Sequence, residues 1–234
     1  MQQSERLQLS LAIESSTRTA SLALAADGVT FQHIPLDRQS RTTRTISLGV
    51  AELLQTLRNQ NQKVSYVAVA DGPGSFTGLR IGVTTAKTLA YAFGCPTVAI
   101  DSLAAMASEM WSRHPEASEI MVGLNAYRAQ VFAARWSRED WAIATATAEF
   151  HTRSEVLSAE QWNDWIESIS PDGAIGVEPV LIKRCQSDRV SEVEPTAKEV
   201  ARLAHLSASL GRFISPMELL PRYLRDSAAE EKLG

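Results

Sequence analysis

The chain has 234 residues, enough for one large domain or two small ones. Its 44% hydrophobic content supports a real core, and no apolar run approaches the roughly 20 residues of a membrane span. The net charge of −4 argues against strong nucleic-acid binding by the chain as a whole, although a local basic patch remains compatible with it. Two cysteines, Cys95 and Cys185, lie far apart in sequence, which matches neither a disulfide framework nor a metal-binding spacing and points to a reducing, cytoplasmic setting.

In chain order, Met1 to Gln8 is polar, without the apolar stretch of a signal peptide. Leu9–Ile13, Ala20–Ala25 and Thr30–Leu36 read as strands, with Asp27-Gly28 as a two-residue hairpin turn between the second and third. Thr45–Leu57 reads as a helix whose Ile46, Val50, Leu53, Leu54 and Leu57 share one face. A buried strand over Tyr66–Ala70 leads through a glycine-rich loop into a helix over Ile81–Phe93, closed by Gly94. Pro96–Ile100 is the fifth strand, and Ser102 caps a helix over Leu103–Trp111.

The second half repeats this order in shorter form. Ile120–Leu124, Gln130–Trp136 and Ala144–His151 read as strands, and Ser154 as the cap of a helix to Ile166. Gly173–Val177 is a short strand, and Ala197–Leu210 a helix ended by Gly211. Ala228–Gly234 is charged and expected to fray. A meander extended by right-handed crossovers gives an α/β fold of two ribonuclease-H-like subdomains, the actin/Hsp70 arrangement, with the second abbreviated. The expected division is 1–102 and 103–234, with the 197–210 helix packing back on the first subdomain.

The densest signal is Asp71 to Arg80, carrying Gly72, Pro73, Gly74, Ser75, Phe76, Thr77 and Gly78. A strand-to-helix loop of this kind offers backbone N–H groups and a helix dipole to an anion. Its spacing fits neither a P-loop, nor a dinucleotide fingerprint, nor a nucleophile elbow. The other reading is a tight turn with Ser75 or Thr77 as N-cap. In the actin-like arrangement two loops face each other across the phosphates. Here they are Glu14-Ser15-Ser16-Thr17 and Asn125-Ala126-Tyr127-Arg128.

Ile13–Thr17, Asp71–Arg80, Asn125-Ala126 before Gln130-Val131-Phe132, and Pro221–Arg225 together resemble the TsaB (YeaZ) family, over almost the whole chain. Gly-Pro-Gly-Ser-Phe-Thr-Gly-x-Arg is the specific part of the match. The resemblance implies a cytoplasmic, non-catalytic accessory subunit of tRNA threonylcarbamoyladenosine modification. It would bind and activate a TsaD-like catalytic subunit, join a TsaE-like ATPase, dimerise when alone, and meet tRNA only through the complex. It also implies that the first two helices form the partner-binding face, through Ile46, Val50, Leu53, Leu57, Gly78, Leu79, Arg80, Gly82, Val83 and Ala86. The small residues Gly78, Gly82 and Ala86 could equally admit the chain's own sheet. Arg80 is expected to make an ion pair or anion contact.

The residues of the phosphate site depart from those of an ATPase of this fold. Glu14 stands where a shorter aspartate would hold Mg²⁺, and Asn125 where the family usually has an aspartate. Glu14, Ser15, Ser16, Thr17 and Asn125 therefore read as a vestigial site. The expected cofactor state is no tightly bound nucleotide and no metal, with ATP only at the joint assembly. The four histidines, His33, His114, His151 and His205, show no paired spacing and read as surface or satisfied core residues. The first helix lacks the His-Ser start and Leu-Pro common in relatives, having Arg41–Gly49 instead. A small-molecule kinase with Glu14 as the metal-side acid is one alternative, and a peptidase is another. Trp162 and Trp165 sit at helical spacing as core residues, with an RNA-stacking platform as the competing reading for the tryptophans.

Overall fold

The computed structural model describes residues 7–36, 42–185 and 189–225. The Ala228–Gly234 tail and the start of the Met1–Gln8 segment lie outside them. Two five-stranded sheets organise the chain. The first has strands β1 (Leu9–Glu14), β2 (Ala20–Ala26), β3 (Val29–Leu36), β4 (Tyr66–Gly72) and β5 (Thr97–Asp101), in the order β3-β2-β1-β4-β5. The second has β6 (Glu119–Asn125), β7 (Val131–Ser137), β8 (Glu155–Leu157), β9 (Ala174–Val177) and β10 (Val190–Glu192), in the order β10-β9-β6-β7-β8. Each pairs its first three strands antiparallel and adds the rest parallel. These are two ribonuclease-H-like units, as the element order predicts.

Alternation along the strands decides which helices go where. On β1, β2 and β4, Leu11, Ile13, Leu22, Leu24, Val67 and Val69 face α1 (Thr42–Asn59) and α2 (Phe76–Phe93). Ala12, Ala23, Ala25 and Ala68 face the other way, toward α3 (Ser102–Arg113) and α6 (Ala197–Ser209). Alanine on that face lets α6 approach through its own Ala197, Ala201, Ala204 and Ala208, spaced by three and four. The Ser21 hydroxyl accepts from the Ala197 amide at 2.9 Å, which anchors the start of α6 on the first sheet. The second sheet turns Ile120, Val122 and Trp136 toward the same helices. Its opposite face packs Met121, Ile175 and Val177 with Trp162 and Ile166 of α5 (Ala159–Ser168). The central core is thus α3 and α6 between two sheets.

Four expectations need correction. Ala144–His151 is not a strand; its first part belongs to α4 (Arg138–Thr147). Ile143, Thr145 and Thr147 alternate with alanines and mimic a strand period, but Ser137 and Asp140 form a capping box and alanine favours helix. Ser154 caps no helix: Glu155–Leu157 pairs with β7, and α5 starts later, behind the Ser158/Gln161 capping box. The cap of α3 is Asp101, not Ser102, accepting from the amides of Leu103 and Ala104 at 2.7 and 3.0 Å. The helix expected over Ile81–Phe93 begins five residues earlier, at Phe76, with Ser75 as N-cap and Gly94 at φ 64° as C-cap.

Candidate functional site

The signature segment is mostly not a loop. Asp71 and Gly72 end β4, Phe76 to Arg80 open α2, and only Pro73-Gly74-Ser75 lie between. Its glycines admit other backbone. At Gly78 a Cβ would stand 2.0 Å from the Ser15 carbonyl oxygen. At Gly72, with φ 137°, it would stand 2.3 Å from the Arg222 carbonyl oxygen. The loop amide of Ser75 donates to the Ser16 carbonyl at 2.6 Å, and the Ser15 hydroxyl donates to the Gly78 carbonyl at 2.9 Å. The Ser75 amide, one of the groups that could cradle an anion, is thus engaged with the chain's own first loop.

Glu14 belongs to the same knot. Its side chain is fully buried, with Oε1 accepting from the Ser16 amide at 2.6 Å and from the Ser16 hydroxyl. Oε2 has no hydrogen-bond partner among the described residues. Burial pushes the carboxyl up to about 8, with the Glu194 and Glu178 charges adding to the rise and the Ser16 bonds opposing it. At neutral pH Glu14 is mainly an uncharged acid. The Asn125 side chain serves its own turn: Oδ1 accepts from the Tyr127 amide at 3.2 Å, while the Asn125 backbone amide donates to the Glu178 carboxylate at 3.0 Å.

The structure does bring the two facing loops together. Ser16, Thr17, Asn125 and Glu178 line one cavity with Gly74 and Ser75. Its volume is about 10 Å³, room for one water molecule at most. Glu14 and Ser15 lie beneath it, fully buried.

The partner-face residues require a correction. Ile46, Val50, Leu53, Leu57, Leu79, Val83 and Ala86 are buried against the chain's own sheet, and Gly78 and Gly82 press on Ser15. Of the group only Arg80 is exposed. It has no carboxylate partner among the described residues. Its guanidinium lies 4.1 Å from the Phe76 ring centroid, and Nε donates to the Tyr223 hydroxyl at 3.2 Å. The solvent face of the same two helices is a groove of about 450 Å³, lined by Ser47, Arg80, Ile81, Thr84, Thr85, Thr88 and Leu89. Thr85 and Thr88 donate their hydroxyls back to the Ile81 and Thr84 carbonyls, at 2.7 and 2.9 Å. With these hydroxyls bonded to the helix's own backbone, the groove offers little polar demand to a partner.

One cluster escaped the sequence reading. Asp71 and Asp101 end neighbouring parallel strands and meet His151 and Arg222. His151 Nε2 lies 3.1 Å from Asp71 Oδ1. Arg222 pairs with fully buried Asp101, donates to the Gly72 carbonyl at 3.0 Å, and sends its amide to the Asp71 carbonyl at 2.8 Å. Ser154 also donates to Asp101. Burial pushes the Asp101 carboxyl up, against the opposing charges of Arg222 and His151. For His151 burial works downward, but the hydrogen bond it donates to Asp71 and the two carboxylate charges outweigh it and raise its pKa. Two carboxylates at adjacent strand ends were the available signal. His151 is thus a satisfied residue that joins the two halves. Trp111, Trp136 and Trp162 are buried, and Trp141 and Trp165 pack partly against the core, which removes the tryptophan platform.

Among the described residues no three His, Cys, Asp or Glu side chains gather to hold a metal, and no helix is long and apolar enough to cross a membrane. Residues 33–163 match the family model of TsaD, tRNA N6-adenosine threonylcarbamoyltransferase. The chain is 30% identical over 233 residues to the tRNA threonylcarbamoyladenosine biosynthesis protein TsaB of Bacillus subtilis strain 168, covering 95% of this chain and 96% of that protein. The chain belongs to the TsaB (YeaZ) family. The TsaB of Escherichia coli strain K12 is 28% identical over 237 residues, covering 95% and 97%. The fold agrees with that of YeaZ from Pseudomonas aeruginosa, at a TM-score of 0.68 over 93% of this chain and 100% of that one, with 20% identity. The TsaB framework therefore holds here, with its signature glycines serving close backbone contacts.

Proposed function

We infer that this chain is the non-catalytic subunit that binds and activates a TsaD-like transferase in tRNA threonylcarbamoyladenosine formation, in the cytoplasm. The observation that carries this reading is the self-engaged inter-loop region. Ser15, Ser16, Ser75 and Gly78 satisfy one another, and Glu14 is buried beneath a cavity of about 10 Å³. An ATPase of this fold needs an ionised acid and an open gap at that point. Family membership supplies the pathway, and the match to the transferase's own family model supports a partner of the same ancestry.

The partner docks on the solvent face of α1 and α2. Its groove of about 450 Å³ between Ser47 and Leu89 suits a helix, and exposed Leu48 and Tyr91 extend the apolar area. Without its partner, the same face pairs two copies of this chain. Nucleotide binds only at the joint surface, where a TsaE-like ATPase joins. The test is co-purification with the TsaD-like subunit of the same organism, followed by tRNA modification with and without this chain. A Thr84→Arg variant should fold normally, lose the complex and lose stimulation of modification. Retention of both, or ATP turnover by the isolated chain, would overturn the reading.

A further inference from the structure

A second opening lies at the far end of α2 from the signature segment. Helix α1 ends at Asn59 and α2 at Phe93. Between their last turns and the 61–64 segment that leads into β4 is a pocket of about 510 Å³. Its floor is apolar. Leu57 is buried there, and Leu54, Val64 and Phe93 are partly buried, packed on the same core as Leu53 and Val83. The pocket shares no lining residue with the α1–α2 groove. Its size falls within the roughly 300–1,000 Å³ of small-molecule sites.

Two exposed cations, Arg58 and Lys63, line the same pocket, and no carboxylate is among the described residues lining it. Neither side chain makes a hydrogen bond or an ion pair among the described residues. A cation in the last turn of a helix ordinarily serves the free carbonyls there. Here the chain's own amides take that role. Those of Asn61 and Gln62 donate to the Arg58 and Leu57 carbonyls at 3.1 and 2.9 Å. Those of Gly94 and Cys95 donate to the Tyr91 and Ala90 carbonyls at 3.2 and 3.0 Å. Asn61, at φ 49°, makes the left-handed turn that closes α1 in this way. The two guanidinium and ammonium groups are thus left over an apolar floor, in a chain of net charge −4.

We propose that this pocket binds a small amphipathic anion, with an alkyl chain along Leu54, Leu57, Val64 and Phe93 and a carboxylate or phosphate head group on Arg58 and Lys63. Charge complementarity selects the head. The rim offers two cations, no acid, and beside them the uncharged amide side chains of Asn61 and Gln62. A guanidinium donates to either kind of head group in bidentate fashion. The floor selects the tail. It presents three aliphatic side chains and a single ring, with no aromatic pair to sandwich a base. Each methylene that covers such a floor leaves water and gains the usual free energy of apolar burial. The proposal lies beyond the accessory-subunit reading and does not depend on it, since every residue involved belongs to this chain and none lines the α1–α2 groove.

The test titrates sodium octanoate into the full chain alone and follows the backbone amide resonances. The shifts should saturate and centre on the end of α1, the 61–64 segment and the end of α2. Lengthening the chain from hexanoate to octanoate should tighten binding by about fourfold per methylene. Octyl phosphate should move the same resonances, and uncharged octanol should bind more weakly than either. A double variant, Arg58→Gln with Lys63→Gln, should keep its melting temperature and weaken octanoate by about fivefold, with octanol unaffected. Absence of saturable shifts, shifts centred on another surface, octanol binding as tightly as octanoate, or a double variant that binds like the wild type would overturn the proposal. Binding to phosphatidylglycerol vesicles without binding of monomeric octanoate would also overturn it, marking a membrane-surface contact instead. None of these readouts involves the transferase, so they fail or succeed independently of the accessory role.

Discussion

Replacing Glu14 by glutamine tests the state of the inter-loop region directly. The carboxyl sits at about 8 in the folded chain against 4.5 when unfolded, because burial penalises the charged form. The folded state therefore holds a proton that the unfolded state has lost over this whole interval. Stability from this group is complete below pH 4.5 and is lost as pH rises toward 8. Each pH unit removes about 1.4 kcal/mol, so the interval amounts to about 5 kcal/mol. Glutamine keeps the acceptor for the Ser16 amide, carries no charge, and leaves one buried donor at a cost of about 1 kcal/mol. Urea unfolding of both proteins at about pH 5.5 and about pH 7.5 should show nearly equal stability at the lower pH, with the variant gaining about 3 kcal/mol on the wild type at the higher. Taking the difference between the two proteins cancels the contributions of His151 and Asp101. A difference that stays constant with pH, or moves in favour of the wild type as pH rises, would refute the reasoning. It would mean that Glu14 is ionised when folded and able to hold a cation.

Gly78→Ala would place a methyl group 2.0 Å from a backbone oxygen, and should destabilise the chain by about 1–3 kcal/mol or more by thermal melting, whether or not a partner is present. An unchanged melting temperature with a lost complex would return this face to the partner. Arg222→Ala strips the cation from the fully buried Asp101 and should cost about 3–5 kcal/mol in urea unfolding. Adding Asp101→Asn should recover part of that loss, and strictly additive effects would show that the pair is not coupled.

The first sheet and the central strands of the second were readable because most of these strands are buried on two faces and flanked by turn residues, whereas the short, partly exposed β8 and β10 were not. Leu9–Glu14 and Tyr66–Gly72 are continuous apolar runs, and Asp27-Gly28 forms the turn its residue types demand, at φ 47° and 77°. The errors fell where two local signals competed. In Arg138–Thr147 the alternation of alanine with β-branched residues looked like a strand, while Ser137-x-x-Asp140 was the better cue. Ser154 and Ser158 were both plausible caps, but only Ser158 has a glutamine three residues on. At the candidate site, the pairing of the Glu14 and Asn125 loops followed from topology alone. The side to which Gly78, Gly82 and Ala86 pack did not, since a stripe of small residues says that something comes close and not what. The Asp71–His151–Asp101–Arg222 cluster joins four segments far apart in sequence, so no local pattern contained it.

The same glycines account for both what the fold retains and how its phosphate region is filled. A loop able to receive an anion must leave its amides unoccupied and its neighbours at a distance. Here Gly78 and Gly82 bring α2 onto Ser15, and Gly72 brings the C-terminal segment onto the end of β4. These approaches let the Ser75 amide reach the Ser16 carbonyl and Arg222 reach the Asp71 and Gly72 carbonyls. Opening the gap would require α2 to withdraw from β1, breaking the bonds from Ser75 to Ser16 and from Ser15 to Gly78 while exposing Leu79 and Val83. Withdrawal would also disturb α1, whose Ile46 and Leu53 share that core. The closed region and the outward groove on α1 and α2 are therefore two faces of one packed layer.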